Sequence, residues 1–199
     1  MSGTDSQLSQ KTHLEDLEWN DDSLAGVDLR GKSFRDCRFS NIRLPEALLH
    51  DCVFEDCIFD SCDLTMADVT GAAFRDILFQ RSKLMGINWT PVRGLVFSVT
   101  FVECNLTHAT FAERKMPATI IRDCRAHETT FADVDLCGAI FSGTDLYKAR
   151  FMNVNLTEAD LSEAENYDIS PQQNRLKDTL FSKEAALALV GELGVIVPA

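Results

Sequence analysis

Residues 52–71 read CVFED CIFDS CDLTM ADVTG, four blocks of five whose third residues are Phe54, Phe59, Leu64 and Val69 and whose first are Cys52, Cys57, Cys62 and Ala67. A period of five fits neither the helix, at 3.6 residues per turn, nor the plain strand, at two. Extending the register outward gives centres from Leu14 and Trp19 to Trp89, then from Phe101 to Leu161, and all 29 of these positions are apolar. Chance would fill about half of them in a chain that is 45% apolar. Of the 13 phenylalanines, 11 are centres.

Two residues before each centre the chain prefers small apolar side chains, with some Ser and Thr, and Cys37, Cys52, Cys57, Cys62, Cys104 and Cys124 all fall there. Six of the seven cysteines therefore read as small core residues, not as a disulfide framework. Two residues after each centre stand Gly26, Gly31, Gly71, Gly86, Gly138 and Gly143 among many Asp, Glu and Asn, residue types that tolerate turn conformations. Each unit is thus a short extended stretch with two inward side chains, closed by a corner.

Such units bury a continuous core only if the chain winds and each coil stacks on the last. The pattern resembles the pentapeptide-repeat family, whose A(D/N)LXX motif appears in Ala159-Asp160-Leu161-Ser162-Glu163, Cys62-Asp63-Leu64-Thr65-Met66 and Val27-Asp28-Leu29-Arg30-Gly31. That resemblance implies an all-β solenoid, a right-handed quadrilateral β-helix with four pentapeptides per coil. At about 4.8 Å per coil the 29 units would form a rod roughly 35 Å long. The expected division is an N-terminal tail over 1–11, the β-helix over 12–163 and a C-terminal cap and dimerisation segment over 164–199. The N-terminus lacks a basic start and an apolar run, so a cytoplasmic protein without a membrane anchor is expected.

The register breaks once. Trp89 to Phe101 spans 12 residues where a multiple of five is required, and Thr90-Pro91-Val92-Arg93-Gly94-Leu95-Val96-Phe97-Ser98 carries the Pro and Gly of an excursion. It reads either as a short functional loop on a rigid scaffold or as a bulge that absorbs two residues. Arg114, Lys32 and Asp22 occupy inward positions, where a charge is costly unless it reaches solvent or a partner.

After Leu161 the five-residue period stops. Ser170-Pro171 can start a short helix, and Ser182 can cap a second one beginning at Lys183 and running to Leu193. The second is apolar on nearly every face, so one side suits the final coil and the other a second copy. Leu187, Leu189, Val190 and Leu193, with a tail strand containing Val195 and Val197, are the candidate dimer residues. Asn166-Tyr167-Asp168-Ile169-Ser170-Pro171-Gln172-Gln173-Asn174 followed by Phe181-Ser182-Lys183-Glu184-Ala185 resembles the end of the Qnr quinolone-resistance proteins and of immunity proteins against microcin and albicidin. The resemblance implies a C-terminally joined homodimer with DNA gyrase as partner; topoisomerase IV is a second candidate target. Qnr proteins of Gram-negative bacteria typically carry two excursions, one of them long; this chain departs from them with a single short break.

The formal net charge is −12, which disfavours direct nucleic-acid binding because phosphate contacts need cations. An acidic rod can instead imitate DNA. Asp36, Asp56 and Asp76 are spaced by 20 and so stack at one corner of a four-sided coil, while Glu103 with Asp123 and Glu113 with Asp133 repeat the spacing past the break. Arg35 and Arg75 flank the first column. Enzyme readings fare poorly: His50-Asp51-Cys52 belongs to the inward-cysteine pattern without C-x₂-C spacing, His108 and His127 have no partner fixed by spacing, and no phosphate loop occurs. No metal, cofactor or catalytic residue is expected. The resulting expectation is a non-enzymatic, DNA-mimicking protein that protects gyrase from a poison through residues 90–98 and the column Asp36, Asp56 and Asp76. The alternative is a repeat scaffold with an unrelated protein partner.

Overall fold

The computed structural model describes residues 11–20, 24, 27–94 and 97–192. Parallel pairing sets Phe34 against Phe54 and Phe54 against Phe74 on one face, and Phe39 against Phe59 and Phe59 against Phe79 on the next. Each pairing advances 20 residues, so four pentapeptides make one coil. The chain is a right-handed quadrilateral β-helix of about 8 turns with a single short C-terminal helix. We number the faces in chain order: the first holds Phe34, Phe54 and Phe74, the second Phe39, Phe59 and Phe79, the third Leu64 and Leu84, the fourth Val69 and Trp89.

Corner chemistry explains the sequence pattern. The corner residue lies in the left-handed region, with φ 50° at Asp36, 53° at Asp56 and 53° at Asp76, a conformation easiest for Gly, Asn and Asp. It keeps the corner N–H on the rod axis: Asp36 N donates to the Glu55 carbonyl at 3.1 Å and Asp56 N to that of Arg75 at 3.0 Å. The Asp or Asn preceding a centre closes the corner from outside. Asp63 Oδ1 accepts from Thr65 N at 3.1 Å and Thr65 Oγ1 at 2.6 Å, and Asp68 holds Thr70 in the same way, an Asx turn.

Among the described residues every centre is buried except Leu44, which is half-buried before the exposed Pro45. The inward position two residues earlier must be small, and its polar atoms turn back to the wall: Cys52 Sγ donates to the Leu29 carbonyl at 2.9 Å and Thr144 Oγ1 to that of Ile121 at 2.7 Å. Inside, like stacks on like. Phe34–Phe54 and Phe39–Phe59 lie 5.0 and 4.5 Å apart and nearly parallel, and Phe34 meets Phe39 edge-on at 5.4 Å.

Across the break the pairing offset grows from 20 to 22, as in Ile77 opposite Val99 and Phe79 opposite Phe101. Val92, Phe97 and Val99 turn inward and are buried. Here the aromatic ladder changes face. Trp89 lies edge-on to Phe74 at 5.3 Å and parallel to Phe111 at 5.9 Å, which continues through Phe131 and Phe151, while Phe97 fills the space beside Phe74 and Trp89. The inward Arg114 donates to the Thr90 carbonyl, so it braces the break from the coil beyond. Lys32 Nζ reaches the Lys11 carbonyl at 3.2 Å; Asp22 lies outside the described residues.

Two expectations for the C-terminus are corrected. The helix expected from Ser170-Pro171 is absent, and winding does not stop near 163: Asn155 bridges Arg175, and Leu161 pairs with Phe181. Asn174 takes the inward position of this last coil, accepting from Val154 N at 2.9 Å and donating to the Phe151 carbonyl at 3.1 Å. The helix at Lys183–Glu192 does form, with Ser182 Oγ accepting from Ala185 N at 3.2 Å as its N-cap.

Replacing Phe131 by Ala removes a ring stacked on both sides and should cost about 3–5 kcal/mol in urea unfolding. Thr144→Val should cost about 1–3 kcal/mol, because Cys124 N donates to Thr144 Oγ1 and would be buried without a partner. Equal stability of either variant with the parent would show that its contact is dispensable.

Candidate partner-binding surface

Corner stacking brings Asp36, Asp56 and Asp76 into one exposed column between the first and second faces, and in-register pairing of Leu14 with Phe34 adds Asp16. Asp16 carries the same 20-residue spacing as its neighbours and was legible by it. The column beside it alternates in sign as Glu15, Arg35, Glu55 and Arg75, and Arg35 is drawn to Glu55 at 2.9 Å. Among the described residues Asp36 and Asp56 form no ion pair or hydrogen bond through their carboxylates, and Asp76 accepts only from Ser98 Oγ at 2.8 Å. Glu103 and Asp123 lie on the edge between the second and third faces, and Glu113 and Asp133 on that between the fourth and first. The acid is thus distributed over three edges.

Residues 90–98 divide by direction. Val92 and Phe97 belong to the core, Thr90 and Ser98 are half-buried, and Pro91, Arg93 and Gly94 are exposed. Arg93 N donates to the Ala72 carbonyl at 2.8 Å and keeps its segment on the wall. Leu95 and Val96 lie outside the described residues. Beside the break opens a cleft of about 430 Å³ lined by Phe97, Ser98, Val99 and Thr100 and, from the next coil, Lys115, Pro117, Ala118 and Thr119.

Leu189 lies against the last coil, lining a small space with Tyr167, Ile169 and Phe181. Val190 is half-buried, whereas Leu187, 46% exposed, and Leu180, 56% exposed, face outward. Leu193, Val195 and Val197 lie outside the described residues.

Three of the four histidines have partners that spacing alone did not reveal. His127 Nε2 stands 2.5 Å from Asp145 Oδ2 and its Nδ1 accepts from Arg125 Nε at 3.1 Å; His50 Nε2 is 2.7 Å from Asp68, and His108 lies 4.0 Å from Glu128. The Thr70 hydroxyl, seconded by His50, lowers the Asp68 pKa to about 2. Burial pushes the Cys52 and Cys62 thiols up to about 11, so both remain protonated at neutral pH and are poor nucleophiles. Among the described residues no group of three metal-ligating side chains occurs, and no helix is long and apolar enough to cross a membrane.

In the folded protein at pH 8 a thiol reagent should modify the half-buried Cys137 and leave the six buried cysteines intact until urea is added; fast modification of Cys52 or Cys62 would contradict their burial. At a concentration low enough for the chain to be monomeric, Leu187→Asp should leave the melting temperature nearly unchanged, whereas Leu189→Asp should lower it by loosening the helix from the last coil. Equal losses would place both side chains in the same packed interface.

Family models described as "Pentapeptide repeat region" and "Pentapeptide repeats (8 copies)" match residues 27–93 and 122–165. Two solved structures of trypsin-treated variants of QnrB1, a plasmid-mediated fluoroquinolone resistance protein, are similar in fold. They are 20% and 19% identical with TM-scores of 0.62 and 0.63, and each alignment covers 94% of this chain and 97% of the other. No curated protein matches. With the two models together spanning more than half of the sequence and a coil of four stacked pentapeptides running through it, the chain belongs to the pentapeptide-repeat family.

Proposed function

We propose that this protein is a cytoplasmic homodimer that binds DNA gyrase as a DNA-like acidic rod and protects it from a poison of the cleaved-DNA complex. The observation that carries the reading is the column Asp16, Asp36, Asp56 and Asp76, a row of outward carboxylates about 4.8 Å apart with no cation within ion-pair distance among the described residues. The net charge of −12 extends its field and steers the rod toward a cationic groove. The fold shared with QnrB1, a fluoroquinolone resistance protein, and the C-terminal motif support gyrase as that partner. The exposed residues Pro91, Arg93 and Gly94 are the part of the break available to engage the enzyme, and Leu187 is the helix residue available to a second copy. Topoisomerase IV, with a similar DNA-binding task, is a further target within this reading.

The modest break, in place of a long excursion, favours a second reading in which the rod is a scaffold for an unrelated protein. Gyrase supercoiling separates the two when this protein is titrated in with a fluoroquinolone and, separately, with a gyrase-poisoning peptide. Rescue with either agent is expected and identifies the poison class; supercoiling untouched under all conditions leaves the scaffold. The triple variant Asp36→Asn, Asp56→Asn, Asp76→Asn should require at least a tenfold higher concentration for rescue while melting no lower than the parent, since like charges are removed from neighbouring corners. Unchanged rescue by that variant would reduce the column to solvation.

A further inference from the structure

The second face differs from the other three in what it turns outward. Immediately before the centres, in-register pairing aligns Ile58 with Leu78, Leu78 with Thr100, Thr100 with Ile120 and Ile120 with Ile140. The equivalent column of the third face is polar throughout, Arg43, Asp63, Lys83, Asn105, Arg125 and Asp145, with Lys83 3.5 Å from Asp63. A stripe of four large aliphatics and one Thr across five coils, all half-buried or exposed, is about 19 Å long. It crosses the break at Thr100, where it meets the cleft beside Phe97.

Carboxylates rim the stripe. Asp56 and Asp76 stand at one edge, two residues before Ile58 and Leu78, and Glu103 stands at the other edge. Three of the nearby cations are already engaged, Arg38 and Arg81 with Asp60 at 3.9 and 2.6 Å and Arg122 with Asp123 at 3.6 Å, while the exposed Arg75 beside Asp76 forms no ion pair among the described residues. An aliphatic line between acidic margins is complementary to an aliphatic line between basic margins. A second copy would bring like charge against like.

Geometry narrows the partner further. Side chains along the stripe recur every 4.8 Å or so, close to the 5.4 Å pitch at which a helix returns side chains to one face, so over four intervals the two lines drift apart by only about 2.4 Å. We propose that the second face docks an amphipathic α-helix of a partner protein, laid along the rod axis, with aliphatic side chains on the stripe and Lys or Arg on its flanks toward Asp56, Asp76 and Glu103. The inference stands independently of whether that partner is gyrase. About 13 residues of helix span the stripe.

The test uses the full chain and two labelled synthetic 14-residue peptides of identical Leu and Lys composition, one patterned as an amphipathic helix and one scrambled so that no apolar face forms. Fluorescence anisotropy should show the patterned peptide binding at least tenfold more tightly than the scrambled one. The double variant Ile120→Thr, Ile140→Thr, which follows the precedent of Thr100 and preserves charge, should erase that preference while melting within a few degrees of the parent. Thr107→Lys on the third face, carrying an added charge away from the stripe, should retain it. Equal binding of both peptides would mean that net charge alone attracts them, and preference surviving in the double variant would remove the stripe; either result, or no binding, overturns the proposal. If the double variant unfolds, Ile140→Ser alone replaces it, with a loss of at least threefold in preference required.

Discussion

The axial ladder, in which corner N–H groups donate to carbonyls of the next coil and N–H groups at the strand starts donate to carbonyls of the coil before, governs everything else in this molecule. Asp36 N to Glu55 O and Val53 N to Lys32 O are two of its rungs. Because the ladder advances 20 residues at a time, the nearest neighbour of a side chain is usually its counterpart one coil away. Inside, this produces phenylalanine on phenylalanine. Outside, it forces like charges together wherever the sequence repeats an acid, at about 1 kcal/mol per adjacent pair in water. Two outward columns avoid that cost by alternation, Arg43, Asp63 and Lys83 on one face and Glu15, Arg35, Glu55 and Arg75 on another. The corner backbone does not require Asp in the neighbouring column, since Asn41 and Asn153 hold the same left-handed conformation at φ 56° and 54°. The acidity of Asp16, Asp36, Asp56 and Asp76 is therefore a property beyond what the fold demands.

A rigid ladder also explains why two extra residues matter. Lengthening one side of one coil would misalign every later coil unless the excess is confined, and it is confined to the first face between Trp89 and Phe101, after which the 20-residue offset resumes. Confinement changes the interior. Phe74 loses its stacking successor, Phe97 fills in from the widened side, and Trp89 passes the ladder to Phe111 on the fourth face. The charge at Arg114 and the insertion at 90–98 are one structural feature: a guanidinium in the next coil satisfies the Thr90 carbonyl.

The period made the coil, its corners and its core legible in the sequence, because a centre is buried by covalent spacing alone. Partners across coils were harder to read. His127 and Asp145 are 18 apart, one outward position after a centre in one coil and one before it in the next, and that relation exists only once four faces are known. The last coil was missed for a different reason. Its outer side meets only the short C-terminal helix, near Tyr167, Ile169 and Phe181, so apolar centres are not compulsory elsewhere in it, and Asn166 and Pro171 stand where Leu or Phe would be expected. Ser170-Pro171 carries a genuine helix-start signal, overridden when Asn174 bonds the coil beneath. Residue 163 ends the sequence pattern, whereas Phe181 ends the winding.

The field of such a rod can be compared with that of the polymer it is proposed to imitate. A net charge of −12 over about 8 turns at about 4.8 Å each amounts to one charge per roughly 3.2 Å, about half the axial density of duplex DNA at one per roughly 1.7 Å. Counterion release, which supplies nearly all of non-specific DNA binding and a large share of specific binding, is correspondingly weaker for the protein. A partner built for DNA would hold this rod less firmly than its substrate if charge were the whole of the attraction. Apolar contact is the natural supplement because added salt does not screen it. The second face offers both together, carboxylates at its margins and an aliphatic line between them. The acidic edge can then guide encounter while the stripe supplies the holding force that a half-density polyanion lacks.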